Sequence, residues 1–292
     1  MLAPLASNLD RVEYYQIIPA VDHIACLWLL DLMDDQTAAS LLRMTVDVAI
    51  YDRLIGRNVN TRLSDSTSIH NAINASETLR RSFDKDGMAA VDAFNSENRI
   101  PCILTHFAAS AGPLFFMAFP EAHIIHHIRH PLDVVESNRH RGWGERFGVD
   151  PTSFGFTVED AEGLEAPWFA VDSARAYAEM TPADRMIWMT LQIIRKNDAG
   201  LSNLNATLTS QVMTTTFEHL ATTPMDELNR VAAWLGTDIP DTMPIVMMKE
   251  RVPRELHTAD RIKKAATLRE LATPALFDEL MAASAAYEKQ WA

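Results

Sequence analysis

Between Pro101 and Asn138 short apolar runs alternate with helix-forming ones, and this alternation restricts the fold more than any other feature of the chain. "PCILTHF" (101–107) is a short apolar run bounded by Pro101 and by a turn of small residues, "AASAG". "AGPLFFMAF" reads as a helix, and "AHIIHHIR" (122–129), rich in β-branched residues, as a strand. Pro131 suits the first turn of the next helix, whose apolar positions include Leu132 and Val135. "SQVMTTTFEHL" supplies a further strand. Strands separated by helices predict an α/β fold with a parallel sheet flanked by helices.

The rest of the chain supplies cover for that sheet. Residues 20–55 read as helical, and 56–68 as a polar loop with helix caps. Asp86-Gly87 marks a break before the short helix "MAAVDAFNSEN". Residues 142–180 form a long excursion whose Gly, Pro and aromatic content fits a packed loop over a site. Helices open at Thr181-Pro182, with Asp184 in a capping-box-like position, and at Thr223-Pro224, closing at Gly236. A last helix opens at Thr273-Pro274 and sets Phe277, Leu280, Met281, Tyr287 and Trp291 near one face. One domain over 1–292 results: a helical part (1–98), an α/β core (99–236) and a helical C-terminal part (237–292).

A formal net charge of −13 argues against a general nucleic-acid surface, although a local basic pocket can still hold a small anion. The two cysteines, Cys26 and Cys102, lie in or beside apolar sequence and read as buried thiols in a reducing compartment. The start lacks a basic n-region, and the apolar run at 24–33 is too short to span a membrane. A cytoplasmic protein with no membrane partner is expected; the oligomeric state is not written in the sequence.

"HIIHHIRHPLDVVESNRHRGWG" (123–144) concentrates the candidate chemistry. Arg129 falls where a strand ends and a helix begins, a corner at which α/β proteins collect anionic ligands. Ser137, in the second turn of that helix, can donate to the same anion; otherwise Arg129 pairs with Asp133 or Glu136 on the surface. Strand alternation would split the histidines between two faces, and no "HExxH" spacing stands by, so no metal is expected. His106, at the end of "CILTH", is either a general base or a cap for the turn that follows. Arg57, Asn60 and Arg62 stand in a loop that either binds a polar substrate or is solvated. Trp143, between two glycines, either stacks a flat ring or fixes the start of the excursion.

The stretch "FPEAHIIHHIRHPLDVVESNRHRGWG" resembles the 3′-phosphate-binding segment of sulfotransferases that use 3′-phosphoadenosine 5′-phosphosulfate (PAPS). In that family a strand ends in Arg-x-Pro, and a serine follows eight residues after the arginine; here they are Arg129, Pro131 and Ser137. "ILTHFAASAGPLFF" is similar to the family's strand ending in a histidine, which places His106 where many cytosolic members keep the catalytic base. "VMTTTFEHLATTPMDELNRVAAWLG" resembles the family's later strand, turn and helix, so the likeness runs from about Arg99 to Gly236. It implies a three-layer fold of the P-loop nucleoside triphosphate hydrolase type. The reaction implied is sulfuryl transfer from PAPS to a hydroxyl or amine of a small-molecule or glycan acceptor, leaving adenosine 3′,5′-bisphosphate, without a metal.

Two departures go with it. Leu104 stands where many relatives carry a lysine, and no loop of the "GRSGTT" or "PKSGTT" kind, which holds the 5′-phosphosulfate, occurs in the chain. "MLAPLASNLDRVEYY" looks like the helix and turn that follow such a loop, so the first strand is expected to be missing. The alternative is a non-catalytic nucleotide-binding or degenerate member of the family.

Overall fold

The computed structural model describes residues 1–149 and 156–291. The chain opens with α1 (Leu2–Ala6) and then runs extended through Val12 into β1 (Gln16–Ile17). The 1–15 stretch read as helix and turn is thus followed by a two-residue strand upstream of the first long helix. One residue, Ile18, separates β1 from α2 (Pro19–Leu29), with Pro19 at the first helical position. Asp34 caps α3 (Asp35–Leu54) by accepting from the Thr37 N–H at 3.0 Å. After the polar loop come α4 (Ala75–Arg80) and α5 (Met88–Ser96), the latter entered through Gly87 at φ +67°.

The alternating region follows as β2 (Ile103–Leu104), α6 (Gly112–Ala118), β3 (Ile124–Ile128) and α7 (Pro131–His140). The excursion holds the short strands β4 (Thr157–Glu159) and β5 (Glu165–Pro167), paired antiparallel, and α8 (Ala174–Glu179). Residues 150–155, inside that excursion, lie outside the described residues. The long α9 (Pro182–Ser202) and short α10 (Ala206–Thr209) lead to β6 (Val212–Thr216). Five helices complete the chain: α11 (Phe217–Thr222), α12 (Pro224–Leu235), α13 (Met243–Glu250), α14 (Thr258–Leu271) and α15 (Pro274–Trp291).

The α/β class holds, with parallel pairing throughout the core. β1 pairs with β2, and β3 pairs with β6 in register from Ile124 opposite Val212 to Ile128 opposite Thr216. Among the described residues these are two separate ladders rather than one continuous sheet. β2 is short for a local reason. Pro101 has no N–H to give, and the His106 N–H is taken by the Asp22 carboxylate at 3.1 Å.

Alternate strand residues feed opposite layers. Ile103, Ile124 and Val212 pack with α2, α3 and α6 around the fully buried Leu42 and Leu114. Cys102, Ile125 and Met213 pack with α1, α12 and α13 around Leu5, Leu228 and Met243. A third apolar cluster joins α7, α9, α14 and α15 to the excursion through Trp168, Phe169 and Tyr177. Each fully buried Leu or Met contributes about 1.5–3 kcal/mol by leaving water.

Buried polar groups tie the layers together. Glu13, just before β1, accepts from Arg81 Nη1 at 2.8 Å and Arg99 Nη1 at 3.2 Å, and Arg53 is buried beside them. Thr181 caps α9 as its sequence announces, accepting from Asp184 N at 3.1 Å. The Asp184 side chain, expected to reach back in a capping box, instead accepts from Thr273 N at 2.8 Å and so holds the start of α15.

Candidate functional site

Two corners stand at the carboxyl ends of the parallel ladders. The first is built by β3 and β6. Arg129 leaves β3 one residue before His130, the residue capping α7, and its guanidinium lies over the Phe217 ring at 4.1 Å. Arg254 approaches the same ring at 5.2 Å. Burial lowers the Arg129 pKa; the positive charges of Arg254 and Arg141 add to this, against Asp133 and Glu218.

The neighbouring carboxylates do not take Arg129. Asp133 accepts from Lys264 at 2.5 Å and Arg261 at 3.1 Å. Glu136 is held by Arg139 through two bonds of 2.8 Å, and Glu218 by Arg261 at 3.2 Å and the Tyr287 hydroxyl at 2.5 Å. Arg129 Nε is buried with no hydrogen-bond partner among the described residues. The surface pairing with Asp133 or Glu136 that the sequence allowed is thus not made. Ser137 lies half-buried on α7, two turns from that end.

The second corner is built by β1 and β2. His106 follows β2, with 66 % of its side chain exposed. Its Nδ1 lies 2.6 Å from Oδ2 of Asp22, in the first turn of α2. The other oxygen, Oδ1, accepts from the Thr105 hydroxyl at 2.5 Å and from the His106 N–H. The hydrogen bond to Asp22 raises the His106 pKa, burial opposes it, and the Asp22 charge adds to the rise. The turn beyond is clamped to α9. Ser110 donates to Asn197 at 2.5 Å, and a Cβ on Gly200 would come within 2.2 Å of the Ser110 carbonyl oxygen. The "AASAG" turn is therefore held by α9 as well as by its own sequence.

The excursion does reach this corner. Phe156 faces His23 with ring centroids 5.9 Å apart, and Trp168 packs edge-on against Phe107 at 4.7 Å. Lys196, on α9, lies over the Trp168 ring at 5.2 Å.

The remaining expected residues go elsewhere. Asn60 bonds inside its own loop, to Thr67 at 2.8 Å and Asp65 at 3.3 Å, and Arg62 bonds Ser64 and pairs with Asp65. Arg57 pairs with Asp52 at 3.4 Å and borders a surface depression with Ser82 and Lys85. Tyr14 and Tyr15, just before β1, both donate to the Ser66 carbonyl oxygen and so anchor that loop. Trp143, at the start of the excursion, packs on the third apolar cluster and carries Arg146 over its ring at 4.7 Å. Gly144 has a steric reason: a Cβ there would meet the Pro182 carbonyl oxygen at 2.2 Å.

The histidines of β3 are part of the fold. His126 contacts Asn197 at 3.4 Å and His127 the Thr215 hydroxyl at 2.8 Å, and burial lowers each to about 4. His123 packs edge-on against Trp234, and buried His130 bonds Glu288 at 3.1 Å. No group of three metal-ligating side chains gathers among the described residues, and no helix there is long and apolar enough to cross a membrane. Cys26 is buried and Cys102 half-buried; burial raises both thiols, Cys102 to about 12.

Sequence reading missed Asp22, Phe217 and Arg254. Asp22 had the signal of an acidic residue in a first helical turn, but its partner lies 84 residues away. Comparison with models of known families, with curated proteins and with solved structures found no match to this chain.

Proposed function

We propose that the chain is a PAPS-binding sulfotransferase-type protein with a P-loop-like α/β core. Arg129 and Ser137 hold the donor's 3′-phosphate, and His106 takes the proton of a hydroxyl or amine on a small-molecule or glycan acceptor. As the acceptor oxygen or nitrogen bonds to sulfur, the bridging S–O bond to the 5′-phosphate breaks. The acceptor's proton passes to the imidazole, and adenosine 3′,5′-bisphosphate departs. The observation that carries this reading is the uncommitted guanidinium of Arg129. It sits half-buried at a strand-to-helix corner, its Nε has no hydrogen-bond partner among the described residues, and the carboxylates around it are engaged by Arg261, Lys264 and Arg139. A guanidinium so placed suits a phosphate, which can fill its fork.

Calorimetry with adenosine 3′,5′-bisphosphate and with adenosine 5′-monophosphate tests it. The bisphosphate should bind more tightly, and Arg129→Ala should weaken its binding about 10- to 100-fold, the cost of a charge-assisted contact. Equal binding of both nucleotides, or none of either, refutes the assignment.

A second reading, a non-catalytic nucleotide-binding protein, has one observation in its favour. With Ile18 alone between β1 and α2 there is no loop to cradle a 5′-phosphosulfate, and the Asp22 carboxylate stands in the first turn of that helix. Transfer of labelled sulfuryl from PAPS to a panel of hydroxyl and amine acceptors separates the two.

A further inference from the structure

We infer that Asp22 is the positioning residue for His106: it holds the ring with the proton on Nδ1 and leaves Nε2 as the nitrogen that accepts a proton. This rests on the proposed role of His106 as a base, but its physical content is independent of any donor. The carboxylate receives three donors from two consecutive residues. Oδ1 takes the Thr105 hydroxyl and the His106 N–H, and Oδ2 faces Nδ1.

A carboxylate can only accept, so the imidazole nitrogen at 2.6 Å from it carries the hydrogen. In the neutral ring the lone pair is then on Nε2, which makes no hydrogen bond among the described residues. The same contacts fix the ring's direction. The backbone bond anchors Asp22 to residue 106 itself, while the Thr105 hydroxyl, accepting from Phe107 N at 3.2 Å, locks the turn that carries it. Oriented in this way, a histidine–carboxylate pair stabilises the imidazolium that forms when Nε2 takes a proton.

Among the described residues Asp22 is the charged group paired with the ring. His23, on the next position of α2, faces Phe156, and Lys196 lies over Trp168. Cys26, one turn further along α2, is buried, and the charge of Asp22 helps to raise its thiol pKa. Asp22 is also a favourable residue for its own helix, because its charge complements the positive end of the α2 dipole.

The experiment is imidazole ¹⁵N NMR on the full chain, with the His106 signals assigned by their loss in His106→Gln. In the unsubstituted protein, neutral His106 should show a protonated Nδ1 and a bare Nε2, and it should titrate above the ordinary histidine value. In Asp22→Asn the amide oxygen still accepts from Thr105 and the backbone, while the amide nitrogen donates to Nδ1. The proton should therefore move to Nε2, and the pKa should fall.

A purely structural Asp22 would change stability without moving tautomer or titration. A bare Nδ1 in the unsubstituted protein overturns the inference, and that spectrum does not depend on whether the variant folds. So does an unchanged tautomer in Asp22→Asn. Because no nucleotide is present, failure here is distinct from failure to bind adenosine 3′,5′-bisphosphate. Where sulfuryl transfer is measured, Asp22→Asn should lower kcat about 10²- to 10⁴-fold, with KM for the donor little changed.

Discussion

Acid should unfold this protein through two adjacent histidines of β3. His126 and His127 are held neutral by burial, each at about 4, whereas an unfolded chain titrates them near the ordinary 6.5. A depressed histidine contributes stability that is fully present above the unfolded value and is lost as pH falls toward the folded one. At 1.36 kcal/mol per pKa unit, a fall from 6.5 to about 4 is worth about 3 kcal/mol per ring, less whatever solvent still reaches these partly accessible side chains.

Between those values the unfolded chain binds about two more protons than the folded one, a slope of about 2.7 kcal/mol per pH unit. Such a loss is a large fraction of a typical folding free energy of about 5–15 kcal/mol. Buried His130, also lowered, acts in the same direction. His106 acts oppositely: its raised pKa stabilises at low pH, and that contribution fades as pH rises through the folded value. Asp133 and Glu136, held low, extend the acid loss below the ordinary carboxylate range.

Urea unfolding followed by circular dichroism, at steps from pH 7.5 to 4.5, measures the slope. Replacing both rings in His126→Gln/His127→Gln keeps a polar group beside Asn197 and Thr215 and should remove about two protons from it. Each single variant should remove about one. A slope that is the same in all four proteins would refute the reasoning.

Two further substitutions probe the frame of the site. Glu13→Gln leaves Arg81 and Arg53 buried around a neutral amide, with half-buried Arg99 keeping only Glu97, and should cost about 3–5 kcal/mol; a loss under about 1 kcal/mol in thermal or urea unfolding contradicts the network. Gly200→Ala should destabilise by about 1–3 kcal/mol although alanine favours helices, because its Cβ would drive into the carbonyls of Ala109 and Ser110 at 2.3 and 2.2 Å. Crystallography or NMR of that variant should find the 107–111 turn displaced, whereas unchanged or increased stability denies the clamp.

Much of the α/β core was legible because its signals are local. Pro131, Pro182, Pro224 and Pro274 each stand at the first position of a helix, and Gly236 ends one at φ +65°. The β-branched run at 124–128 is a strand, and its alternation feeds two layers, as period-two patterning requires. Less visible was β1, since "RVEYYQI" lacks a clear alternation and gains its strand character from pairing with residues near 100–104. The single parallel sheet expected from the alternating pattern is, among the described residues, two ladders, because which strand edges meet is set by how the layers pack and not by the pattern within each strand.

By itself the sequence determined most element types and their order between Pro101 and Gly236, and it placed Arg129 and His106 at strand ends, because helix caps, prolines and apolar periodicity act over a few residues. Tertiary structure decided what each of those side chains meets. Asp133 goes to Lys264 across 131 residues, which leaves Arg129 uncommitted, and Asp22 comes to His106 across 84. Such pairings depend on which helix faces pack together, and competition among several charged groups for one partner is settled only when burial brings them within hydrogen-bonding range.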